Sequence, residues 1–177
     1  MSLIDEVQQA IGSGEVNQIS QHLGIDPTKA QAAVSAAVPM IVGGMAGHAS
    51  QPGGEADVQQ AVNNHAGAAD SIAQLIQTGP PADGAMGLLG GIFGSHGSSV
   101  EQGVQQASGL DSSQTRRLLM MLAPIVLGII AKRRSNQPTA GGLGGSLQQE
   151  AQNAASRSPH VGGLLGKILN AAQSHSR

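Results

Sequence analysis

The chain has no cysteine, no tryptophan and no tyrosine, and Phe93 is its only aromatic residue. The missing thiols exclude disulfides, thiolate nucleophiles and cysteine-held zinc or iron–sulfur centres. The missing rings remove the platforms on which single-stranded nucleic acid normally stacks. They also leave the core to Leu, Ile, Val, Met and Ala, which bury modest areas but let helices come close. No segment alternates apolar and polar residues in the manner of a half-buried strand. The opening, Met1 to Ala10, carries Asp5 and Glu6 and has neither the basic start nor the apolar run of a secretory signal. Cytoplasmic residence is the expectation.

Charge is scarce, at 11% of residues, and unevenly placed. Residues 1–83 hold eight acidic side chains against Lys29 alone, a net of −7. Residues 84–177 hold eight basic side chains against three acidic ones, a net of +5. A bipolar chain of this kind attracts copies of itself, or presents its basic half to an anionic partner.

What the sequence does have is a duplication. Ile19–Ala46 aligns without gaps on Val104–Ala131 at an offset of 85. Gly24 falls on Gly109, Ile25 on Leu110, Asp26 on Asp111, Pro39 on Pro124 and Gly43 on Gly128. Apolar positions match as well: Val34 with Leu119, Ala37 with Leu122, Val42 with Leu127. Each copy reads as helix, tight turn, helix. Gly24 and Gly109 suit the left-handed residue that closes a helix, and Asp26 and Asp111 suit the cap that opens the next. Pro27 occupies a first helical position, and Gln114 completes a capping-box pattern with Asp111.

The second helix of each copy is apolar on nearly all sides, which predicts a buried rod. Pro39 and Pro124 inside these helices predict kinks that free the carbonyls of Ser35 and Met120. The apolar run Leu118–Ala131 has 14 residues, short of the ~17–25 of a membrane span. The expected organisation is a first helical repeat over 1–78, a second over 79–134, and a Gly/Gln/Ser-rich linker with C-terminal helices over 135–177. The fold class is all-α: a multihelical bundle of two tandem helix-turn-helix repeats with pseudo-symmetric central apolar helices.

The Gln-rich helix, the Gly-Ile/Leu-Asp turn and the Pro39–Gly43 and Pro124–Gly128 helices resemble the YidB-related bacterial family of helical proteins of unknown function. The resemblance covers roughly residues 1–134. It implies a multihelical fold, and no activity, cofactor or site residue comes with it. The tail after Ser135 departs from the compact pattern.

Chemistry is hard to find. His22, His48, His65, His96, His160 and His175 never fall at His-x-x-x-His or His-x-x-Glu spacing, so no helical metal pair is written locally. Ser95 and His96 are adjacent in Gly94–Ser99, and neighbours on a chain do not face each other as nucleophile and base. The glycine run 141–145 lacks the strand and lysine of a phosphate loop and reads as linker. No catalytic, cofactor-binding or metal residue is assigned, and the expectation is a non-enzymatic protein without cofactor.

Two binding readings remain. The first is self-association, or binding of another protein, driven by the opposed charges. The second is contact with an anionic membrane surface through Arg116, Arg117, Lys132, Arg133, Arg134 and Lys167. The recurring segments Gly87–Gly94 and Gly162–Leu169 fit either helix packing or that surface. Nucleic acid is disfavoured, with only the two arginine-rich ends of one helix to touch phosphates.

Overall fold

The computed structural model describes residues 1–79, 85–136 and 142–157, together with 163, 166 and 167. Its elements are helices α1 (Leu3–Ala10), α2 (Ser13–Leu23), α3 (Pro27–Ala49), α4 (Gly54–Asn64), α5 (Ile72–Thr78), α6 (Ala85–Phe93), α7 (Gly97–Ser108), α8 (Ser112–Asn136) and α9 (Gly142–Arg157). Two single-turn 3-10 helices, Ala68–Asp70 and Gly94–His96, join them, and no strand occurs among the described residues. The chain is therefore all-helical, as its composition predicts.

α3 is the axis. Every residue from Ala36 to Ala49 is buried, because α1, α2, α4, α6, α7, α8 and α9 all pack on it. Its side chains are small enough for that crowding. A Cβ on Gly44 would stand 2.6 Å from Val100 Cγ2 and 2.8 Å from Phe93 Cδ1, so α6 and α7 rest directly on the bare backbone. α8 is the second rod, buried without a break from Met121 to Ile130. Gly128 lets the 3-10 turn at Ala68 and Ala69 lie against it, since a Cβ there would come 2.5 Å from the Ala69 amide.

Both rods run unbroken through their prolines. At 23 and 25 residues they are long and apolar enough to cross a membrane by length and composition, which the 14-residue apolar run alone did not suggest. Within the fold, however, 83% and 72% of their apolar windows are buried against protein. Packing, rather than lipid, covers them.

The segment expected as a linker with C-terminal helices holds one described helix, which starts inside the glycine-rich stretch. α8 continues to Asn136, and α9 starts at Gly142 and lies along α3. Its Leu143, Leu147, Ala151 and Ala154 are buried at helical spacing. Elements from all three expected segments thus join one apolar cluster.

Candidate functional site

The two helix-turn corners are built alike. Gly24 closes α2 at φ 66° and Gly109 closes α7 at φ 67°, a left-handed conformation that only glycine adopts without strain. The Asp26 carboxylate accepts from the Lys29 amide at 2.9 Å, and the Asp111 carboxylate accepts from the Gln114 amide at 2.8 Å. Gln114 Oε1 accepts in turn from the Asp111 amide at 3.3 Å, completing a capping box. The Gln114 amide group also reaches the Leu23 carbonyl at 3.3 Å. One corner therefore touches the other. These four residues are structural: they end and start helices.

The six candidate cations do not form one surface. Arg116 and Arg117 stand at the start of α8, and Lys132, Arg133 and Arg134 at its end, about 24 Å away along the axis. That exceeds the screening length of ~8 Å at physiological salt, so the two ends act separately. Three of the six are already engaged. Arg116 Nε donates to Glu101 at 3.1 Å, Lys132 Nζ to Asp70 at 2.8 Å, and Arg133 Nη1 lies 3.5 Å from Glu150 and 3.9 Å from Glu6. Arg157 Nη1 donates to Asp5 at 2.9 Å. Among the described residues Arg117 and Arg134 have no ion pair. Lys167 is exposed, and most of Gly162–Leu169 around it lies outside the described residues. Asp70, Glu6 and Asp5 belong to the acidic half and Lys132, Arg133 and Arg157 to the basic half. The opposed charges that predict contact between copies meet within one chain.

α6 carries the other singled-out motif. It turns Ile92 and Phe93 inward, both buried. Gly87, Gly90 and Gly91 face outward, where a Cβ would meet nothing within 4 Å. Among the described residues no helix packs against them. Gly94, just past the helix at φ 52°, does make a close approach, to the His48 ring. Beside α6 runs a groove of about 190 Å³, lined by Leu89, Gly90, Phe93 and Leu119 and edged by Glu101 and Arg116.

The histidines are spread out. His48 is buried at the end of α3 with Nε2 3.4 Å from Asp57, and neither ring nitrogen makes a hydrogen bond. Gln51 Nε2 approaches His96 Nε2 at 3.2 Å and Ser95 Oγ at 3.4 Å. Among the described residues no three His, Asp or Glu side chains converge in a way that could hold a metal ion.

Sequence reasoning missed a second groove, where α9 closes over α1 and α8. Leu3, Ile130, Leu143 and Leu147 form its apolar floor, and Arg133, Arg134 and Glu150 its polar side. Its volume is about 140 Å³. The signal was present: Leu143, Leu147, Ala151 and Ala154 mark a buried helix face within the supposed tail.

A sequence profile for bacterial proteins of unknown function, DUF937, matches residues 5–133. The chain belongs to this family. The match spans α1 to nearly the end of α8, whereas α9 lies beyond it. No curated protein and no solved structure matches the chain. Membership therefore brings no activity, and function has to be argued from the surfaces described above.

Proposed function

We propose that the chain is a non-enzymatic, cytoplasmic helical module that self-associates through the outer face of α6. The observation that carries this reading is the trio Gly87, Gly90 and Gly91, bare and open on one helix face. Each glycine in a helix interior costs ~0.5–1 kcal/mol relative to alanine. Among the described residues nothing offsets that cost. A close partner would, because glycine lets a second backbone approach.

The duplication sharpens the point. At the same offset of 85, Gly90 and Gly91 fall on Asp5 and Glu6 of α1. The first copy places two carboxylates there, engaged by Arg157 and Arg133. The second copy leaves the corresponding face bare. We read the whole molecule as two four-helix copies, α1–α4 and α6–α9, related by a pseudo-two-fold axis and joined through α5. The contacts support this, since α1, α2 and α4 of one copy touch α8 of the other, while α6, α7 and α9 touch α3.

The partner that fits is a second copy of the chain. A face that pairs with itself needs matching spacing, and Gly87 and Gly91 lie one helical turn apart. The neighbouring groove edge carries Glu101 and Arg116, one charge of each sign, so two copies would meet complementary edges. The close charge pairs act as structural ties between helices, which supports a binding role over a catalytic one.

Sedimentation of the full chain tests the proposal. A dimer or larger species is expected at high concentration, with little dependence on salt because the contact is apolar. Gly91→Leu is expected to give a monomer with equal or higher melting temperature. A wild-type chain that stays monomeric at high concentration, or a Gly91→Leu variant that assembles like wild type, overturns it.

A further inference from the structure

We propose that the groove between α1, α8 and α9 binds an apolar α-amino acid as its zwitterion. This reading does not depend on self-association, because the groove and the α6 face share no residue.

The argument begins with unmet hydrogen bonds. Arg133 Nη1 is buried and donates to nothing, and Glu150 Oε2 is buried and accepts nothing. The two side chains lie 3.5 Å apart, yet their geometry gives no hydrogen bond. Buried polar atoms are normally paired, so an orphan donor and an orphan acceptor in one groove call for a ligand with both characters. Arg134 adds a guanidinium with no ion pair among the described residues.

Charge balance selects among such ligands. Arg133, Arg134 and Glu150 line the groove, and Glu6 lies 3.9 Å from Arg133 outside that lining. With two positive groups and one negative, a bare cation would be repelled and a bare anion would leave Glu150 unmet. A zwitterion matches both ends. Its carboxylate would lie between the guanidinium groups, whose planar forks suit two oxygens. Its ammonium would donate to Glu150.

Shape selects the side chain. Leu3, Ile130, Leu143 and Leu147 present only hydrocarbon. A space of about 140 Å³ is close to the ~150 Å³ of a cavity that accepts a benzene-sized molecule. A four-carbon aliphatic group fills it and leaves the amino-acid head at the polar side.

The test titrates L-leucine into the full chain by calorimetry and follows the Leu147 methyl resonances. Saturable one-to-one binding is expected. 4-Methylpentanoate, which lacks the ammonium, and 3-methylbutylamine, which lacks the carboxylate, are each expected to bind at least about tenfold more weakly, roughly one charge-assisted bond. Arg134→Gln is expected to weaken leucine at least about tenfold with an unchanged melting temperature. Glu150→Gln, read together with its own melting curve, is expected to erase the preference for leucine over 4-methylpentanoate. No saturable shift at leucine concentrations on the order of tens of millimolar, equal binding of 4-methylpentanoate by the wild-type chain, or an Arg134→Gln variant that binds like wild type overturns the proposal.

Discussion

Asp5 shows how much a single side chain ties together here. Its carboxylate accepts from Ser2 Oγ at 2.9 Å and from Arg157 Nη1 at 2.9 Å, joining the start of α1 to the end of α9. The hydrogen bond from Arg157, followed by that from Ser2, holds its pKa below the usual carboxylate value. A depressed folded-state pKa means stability that is present above the unfolded value and lost as pH falls through the folded one. The Asp5 carboxyl is expected to titrate below the ordinary aspartate range in an NMR pH series, and Arg157→Ala to move the midpoint up; no movement would show that the pair is not formed. Lys132 behaves oppositely. Asp70 raises its pKa, so its contribution is present below the unfolded value and lost as pH climbs through the folded one. At this scale the sequence was legible where the physics is local. Gly24, Asp26, Gly109 and Asp111 act within four residues of themselves. Arg157 on Asp5 and Met1 on Arg133 are partners more than a hundred residues away, and no short-range pattern announces them.

Glycines separate the elements into those that need close approach and those that do not. Gly128→Ala pushes a methyl onto the Ala69 backbone and is expected to destabilise by about 1–3 kcal/mol. Gly87→Ala meets open space and is expected to stabilise by about 0.5–1 kcal/mol. Denaturant unfolding of the two variants checks both signs. The rods α3 and α8 were readable because an apolar surface on all sides has one soluble solution, burial. A C-terminal helix was legible in 135–177, but its start at Gly142 was not, because a glycine-rich first turn looks like linker. The spacing of Gly87, Gly90 and Gly91 leaves helix packing and an exposed surface both open, because spacing alone does not say which way a helix faces.

As a whole the molecule is interlocked. α1 and α4 touch α8, and α6, α7 and α9 touch α3, so each half supplies the cover for the other's rod. Neither half then has a closed core. Pieces 1–79 and 85–177 are expected to co-purify as a folded complex when co-expressed, and each alone to be unfolded or aggregated. A soluble, cooperatively melting first piece would contradict this. The charge asymmetry follows the same logic, with Lys132–Asp70 and Arg157–Asp5 bridging the halves. The asymmetry is legible in the sequence, but a linear count cannot tell which of the opposed charges fold together.

Phe93 leaves the molecule with one optical and magnetic label of its own. The ring is 1% exposed, set against α3 where α6 and α7 converge. With no indole or phenol anywhere in the chain, the near-ultraviolet phenyl bands and the phenyl proton resonances report from that single seat. A spectroscopist watching it observes the anchoring of α6, free of any neighbouring chromophore.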